Sequence, residues 1–238
     1  MAQIDELTER FSSALRLGGG DISAACQACV QILPVHGAAI LIGERHLGLW
    51  PWSVTGADAA RIEGLQAVAA AGPAVFAFAT GVPVPLPDLT TPCPRWPEFA
   101  AAMTRESIAG AMVSVPLRLG MARLGTLDLF DPDPEMAAPS TISAARRLAE
   151  LVTAQLVSAQ SVRAKGWLTP PRGSVLIHQA AGMVIAHLHV GAPEAYARLR
   201  SLAARQGLSL SEVAERIIER RLPIAAALDA HSPNTHGN

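Results

Sequence analysis

Gly110-Ala111-Met112-Val113-Ser114-Val115-Pro116-Leu117 and Arg123-Leu124-Gly125-Thr126-Leu127-Asp128-Leu129-Phe130 face each other across Leu119-Gly120-Met121. Two largely apolar runs separated by a tight glycine turn define an antiparallel hairpin. Upstream, Val35 to Ile42 reads as a buried strand and His46 to Val54 as its hairpin partner across Gly43-Glu44-Arg45. Helical spacing surrounds these strands. Ile4 to Leu17 stops at Gly18-Gly19-Gly20, and a helix capped by Asp21 runs to Leu33 before Pro34. Others cover Asp58 to Ala71 and Glu98 to Arg105. Between the last two, Gly72 to Pro97 is rich in Pro and Gly and reads as a loop with a short extended piece at Val82 to Leu86. Strands inside and helices outside give an α+β domain.

Asp131-Pro132-Asp133-Pro134 ends the last strand, and Ser140 or Thr141 then caps a long helix reaching about Lys165. Its stripe of Ile142, Ala145, Ala149, Val152, Leu156 and Ala159, widened by Leu148, Leu151 and Val162, demands burial on the sheet or against the same helix of a second chain. A homodimer is therefore expected. Gly166 to Gly173 marks a boundary, beyond which three amphipathic helices follow. The first carries Ile177, Ala180, Val184 and Leu188, and the second starts at Pro193 and ends at Gly207. The third opens with the capping box Ser209 and Glu212 and stops at Pro223. The expected divisions are residues 1–139 for the α+β domain, 140–173 for connector helix and linker, 174–222 for the three-helix unit and 223–238 for a tail.

Charge separates these parts. The net charge of the 238-residue chain is −1, yet residues 170–222 hold seven arginines against four acidic residues, and the only lysine of the chain is Lys165. An arginine-rich helical segment suits bidentate contact with phosphates and stacking on unpaired bases. Arg198 and Arg205 are seven residues apart on one side of the second helix, with Arg200 between them, while Arg216 and Arg220 form an i, i+4 pair beside Arg221. Glu212, Glu215 and Glu219 stand at pairing distance along the same helix, so surface ion pairs are the alternative use of these charges.

Three cysteines, Cys26, Cys29 and Cys93, build neither a disulfide framework nor a zinc site, and Cys26 and Cys29 read as small core residues. His178, His187 and His189 do not converge on a metal, and no cofactor is expected. No nucleophile elbow, phosphate loop or His-Glu-x-x-His motif is present, so no enzyme is expected either. No apolar run is long enough to span a bilayer and the first residues do not form a leader, which predicts a cytoplasmic protein without a membrane partner.

Leu65-Gln66, Gly72-Pro73, Asp88-Leu89, Arg95-Trp96-Pro97-Glu98-Phe99, Val115-Pro116-Leu117 and Leu124-Gly125-Thr126-Leu127-Asp128-Leu129 together resemble a GAF domain of actinobacterial signalling proteins, over roughly Ala24 to Leu156. The resemblance implies a central antiparallel sheet with a ligand-sized cavity on one face. Large aromatics beside a few polar groups suit such a cavity, so Trp50, Trp52, Phe76, Asp88, Arg95, Trp96 and Asp128 are its candidate lining, with a small molecule of unspecified identity as partner.

Ile177-His178-Gln179-Ala180-Ala181-Gly182-Met183-Val184, Glu194 to Ala203 and Leu210 to Ile218 are similar to the ANTAR domain of transcription antiterminators. That resemblance implies binding to stem-loops in a nascent transcript through Gln179, Gly182, Arg198, Arg200, Arg205, Arg216, Arg220 and Arg221. Ala181 stands where many ANTAR domains have lysine, removing one candidate phosphate contact. A DNA-binding helix-turn-helix regulator and a ligand-sensing adaptor without RNA binding are the competing readings.

Overall fold

The computed structural model describes residues 2–33, 35–44, 48–161 and 172–227. The expected turn residue Arg45, the linker through Pro171, Lys165 and most of the tail lie outside the described residues. Five strands form one antiparallel sheet in the order β2-β1-β5-β4-β3, with β1 Gly37–Glu44, β2 Gly48–Thr55, β3 Val84–Leu86, β4 Ala111–Leu119 and β5 Ala122–Asp131. The hairpin of 110–117 and 123–130 is β4–β5, and it lies beside β1 because Gly125 admits the close approach. A Cβ at Gly125 would lie 1.8 Å from the Leu41 carbonyl oxygen.

Alternation along the strands sorts their side chains onto two faces. Ile40, Val113, Val115, Leu127 and Leu129 meet α1 (Ala2–Leu17), α2 (Ile22–Ile32) and α6 (Pro139–Ser161) in the larger core. Asp21 caps α2 as its spacing predicts, its carboxylate accepting from the Ala24 amide at 2.8 Å. Cys26 and Cys29 are fully buried in this core, Cys26 Sγ lies 3.2 Å from the Ala38 carbonyl, and burial pushes both thiols up. Ala145, Leu148, Ala149, Val152 and Leu156 of α6 are buried in the same core, so the main stripe of the long helix is satisfied within its own chain.

The opposite face carries Ala39, Leu41, Met112, Ser114, Thr126, Asp128 and Phe130 and is covered by α3 (Ala57–Ala69), α4 (Pro73–Thr80) and α5 (Pro97–Arg105). Helix α4 corrects the reading of 72–97 as a loop. Pro-Ala-Val-Phe-Ala-Phe-Ala-Thr is only two turns long and apolar on every side, which gives it no amphipathic period, and the glycines at 72 and 81 look like loop punctuation while acting as its two ends. The three expected C-terminal helices are α7 (Arg172–Leu188), α8 (Ala192–Gln206) and α9 (Leu210–Ile218). Among the described residues no single helix is long and apolar enough to cross a membrane.

Candidate functional site

The C-terminal bundle is held by Ile177, Ala180 and Val184 of α7, Tyr196, Leu199, Leu202 and Ala203 of α8, and Leu210, Val213, Ala214 and Ile217 of α9, all buried. The capping box at the start of α9 is formed in both directions. The Glu212 amide donates to Ser209 Oγ at 3.2 Å and the Ser209 amide to Glu212 Oε2 at 2.8 Å. His178 joins α7 to α8 through a 2.5 Å contact between its Nδ1 and the Tyr196 hydroxyl, with the two rings edge to face.

Packing that apolar stripe inward turns the predicted nucleic-acid residues to several sides. Gln179 and Gly182 are exposed on α7, and nothing lies within 4 Å of where a Gly182 Cβ would stand. Arg198 and Arg205 share one side of α8. Arg198 donates through Nε to Glu194 Oε1 at 3.0 Å and its side chain is 12% exposed, whereas Arg205 is exposed near the helix end. Arg200 lies on a different side of α8, half-buried, and burial lowers its pKa. Arg216 is half-buried beside Glu212, whose carboxyl is held below the usual range by Ser209 and, to a lesser degree, by Arg216. Arg220 and Arg221 are exposed just beyond α9, Arg221 pairing with Glu219. The glutamates therefore take up part of the charge that the sequence offered, with Glu215 also 3.5 Å from Arg172.

In the sensor half, a cavity of about 80 Å³ lies between the sheet and α3–α4, lined by Leu41, Leu49, Pro51, Glu63, Gln66, Ala67 and Ala74 among others. Behind it is a buried polar cluster. Gln66 Nε2 donates to Glu63 Oε2 at 2.9 Å, and Gln66 Oε1 accepts from the Ala74 amide at 2.9 Å, tying α3 to the start of α4. Gly72 makes this clamp possible: its φ is +141°, and a Cβ there would sit 2.5 Å from Gln66 Oε1. Asp128 of β5 is 2% exposed and Glu63 of α3 equally so. Ser114 Oγ, Thr126 Oγ1 and both Asp128 carboxylate oxygens are buried without a well-formed hydrogen bond among the described residues. Burial pushes Glu63 well above the usual carboxylate range, with the Asp128 charge adding to the effect, and burial raises Asp128 to about 6.

Of the predicted cavity residues, the structure brings only Asp128 to this cluster. Trp50 instead packs on the core of the C-terminal bundle, and Trp52 packs on the opposite face of the sheet. Phe76, Trp96 and Arg95 form their own stack, the two rings edge to face at 5.9 Å and the guanidinium carbon 4.4 Å above the Phe76 ring. Asp88 is exposed and accepts from the hydroxyls of Thr90 at 2.6 Å and Thr91 at 2.7 Å. Glu63 and Gln66 were missed in the sequence. The one signal available was two polar residues spaced i, i+3 on the same side of a helix as Ala59 and Ile62.

A five-stranded antiparallel sheet with helices on both faces, followed by a three-helix unit, is the build of a sensor-and-output regulator. The GAF domain family matches residues 22–156 and the ANTAR domain family residues 172–218. The chain belongs to the GAF domain family and carries a C-terminal ANTAR domain, the arrangement of a GAF and ANTAR domain-containing regulator. No curated protein sequence matches it. Among solved structures it is similar to the GAF domain of a phosphoenolpyruvate-protein phosphotransferase from Coxiella burnetii, with 16% identity and TM-score 0.51 over 68% of this chain and 94% of that one. The corresponding domain from Acinetobacter gives 13% identity and TM-score 0.50 over 67% and 93%. Free methionine-R-sulfoxide reductase from Neisseria meningitidis gives 11% identity and TM-score 0.50 over 67% and 89%. At these identities the likeness concerns the fold.

Proposed function

We propose that this chain is an RNA-binding antitermination regulator in which the GAF domain controls how the ANTAR bundle is presented to stem-loops of a nascent transcript. The observation that carries the reading is the ANTAR match across all three C-terminal helices, with Arg198 and Arg205 on one side of α8 and Gln179 and Gly182 exposed on α7. Stem-loop RNA offers phosphates for the guanidinium forks and unpaired bases on which they stack. Residues 174–222 form the RNA-binding unit in this proposal, 140–173 the connector, 1–139 the sensor and 223–238 a tail. The acting form is a cytoplasmic homodimer presenting two such units, and the protein has no catalytic activity of its own.

The sensor ligand is a small molecule able to satisfy the polar cluster at Glu63, Gln66 and Asp128. The small volume, and the burial of the Ser114 and Thr126 hydroxyls beside the Asp128 carboxylate without well-formed hydrogen bonds among the described residues, support a compact ligand carrying hydrogen-bond donors. The aromatic residues Trp50, Trp52, Phe76 and Trp96, with Asp88 and Arg95, stay outside this proposed site.

Competition binding tests the nucleic-acid assignment. The full chain, titrated at several salt concentrations with an RNA of two adjacent hairpins and with duplex DNA of equal length, is expected to prefer the RNA at every salt concentration. Preference for the duplex overturns the assignment in favour of a helix-turn-helix reader.

A further inference from the structure

Helix α3 is covered on two sides. Its inward side seats Ala59, Ile62, Glu63 and Gln66 against the sheet. Turned roughly 100° or more away, Gly64, Ala67 and Val68 face the C-terminal bundle. Ala67 and Val68 pack against the bundle core, and Trp50 of β2, 7% exposed, is part of that same cluster. The start of α7 and the start of α9 close over Trp50: a Cβ on Gly173 would lie 3.5 Å from Trp50 Cζ2 and 3.6 Å from the Ser211 Cβ.

This contact differs from a core. It leaves a cleft of about 450 Å³ between Gly64, Leu65 and Val68 on one side and Ala203, Ala204, Gly207 and Leu208 on the other, with the charged Arg61, Arg105, Glu106 and Glu212 along its walls. A second gap of about 200 Å³ separates Trp50, Gly64 and Ala67 from Ser209, Leu210 and Ser211. Interfaces within a chain that are small and poorly filled behave like transient ones, free to open. Docking also has a cost on the bundle side. Arg200 precedes Ala204, a residue lining the cleft, by one turn and so lies on the same side of α8; it is half-buried, and burial lowers its pKa. Among the described residues no carboxylate pairs with Arg200, and a guanidinium removed from water in that way favours the open form. Glu63 and Ala67 line both a sensor-side cavity and the gap beneath α9, so a shift of α3 is felt on both sides.

We propose that the outward side of α3 is the output surface of the sensor: it docks the bundle in a state that withholds Arg200 from RNA, and undocking supplies it. Arg205, on another side of α8, is exposed in the docked arrangement. This inference rests on the RNA reading above.

The test uses the full chain and two variants of the docking side, Val68→Glu and Ala67→Glu, each of which sets a charge against the bundle core and cannot gain RNA affinity through added positive charge. Amide hydrogen exchange over 57–69 and 208–214 reports docking independently of RNA. Exchange is expected to rise in both variants while affinity for the two-hairpin RNA rises about fivefold or more. Arg200→Ala is expected to change affinity less than about twofold in the wild-type background and to abolish the gain in the Val68→Glu background, the coupling that a double-mutant cycle reads. Raised exchange with unchanged RNA affinity overturns the docking proposal and leaves the RNA reading standing. Unchanged exchange in both variants overturns it as well, since α3 would then not hold the bundle. Absence of RNA binding by all proteins, with exchange raised in the variants, overturns the RNA reading itself.

Discussion

The two halves of this chain handle polar groups in opposite ways. The ANTAR bundle keeps its interior almost wholly apolar, from Ile177 to Ile217, and places its arginines and glutamates around the outside. The GAF domain buries two carboxyl groups, Glu63 and Asp128, with Ser114 and Thr126 beside them, on the face of the sheet that α3 and α4 cover. A dry core gives a unit with one shape, suited to presenting fixed contacts. A buried and incompletely hydrogen-bonded cluster is a place where a proton or a ligand can change the energy by a large fraction of the total stability. Reading is assigned to the first kind of interior and sensing to the second.

The contrast can be broken most severely in the bundle. Leu199 is fully buried among all three helices, and Leu199→Ala is expected to cost about 2–5 kcal/mol. A unit this small has little to spare, so loss of the α7–α9 amide protection with the sheet amides intact is the expected exchange pattern. Uniform loss across both domains would mean that the two cores are one cooperative unit.

Asp128→Asn sharpens the other half of the contrast. A carboxyl whose folded pKa is raised favours the folded state when protonated, so its contribution is fully present below the unfolded value near 4 and is lost as pH rises through the folded value of about 6. The wild-type protein should therefore lose stability between about pH 4 and pH 6 from this group, on the order of 2 kcal/mol. Burial also pushes Glu63 well above the usual carboxylate range, with the Asp128 charge adding to the effect. Denaturant melts as a function of pH are expected to show the variant flatter and more stable than wild type at pH 7. A parallel pH profile for the two proteins would show that Asp128 is not the buried acid described. The smallest of these effects is at the α9 cap, where Ser209→Ala removes half of a capping box and should cost about 1 kcal/mol, read as a lower melting temperature with the fold retained.

Much of this architecture was legible because it obeys local periodicity. The β4–β5 hairpin, the Asp21 cap and the Ser209–Glu212 box are all short-range patterns, and each appears where the spacing puts it. Helix α4 was not legible, since an all-apolar octapeptide between two glycines has no period to read. Of the buried polar cluster, only Asp128 was legible. Glu63 and Gln66 look like ordinary solvent-side residues of a helix until the sheet is placed beneath them, while the aromatics that looked like a cage serve elsewhere: Trp50 covers the bundle, and Phe76 stacks on Trp96 and Arg95. Arg200 shares the charge of Arg198 and Arg205 but stands two residues from Arg198, about 200° around α8, and it is half-buried.

RNA phosphates, in the proposed function, are gripped by the side of α8 that carries Arg198 and Arg205. Affinity of the full chain and of Arg198→Ala/Arg205→Ala for the two-hairpin RNA, measured across a salt series, tests this grip most directly. The double variant is expected to bind about tenfold or more weakly and to lose between one and two units of the slope of log affinity against log salt, with its melting temperature unchanged. Equal affinity and equal slope for the two proteins would contradict it.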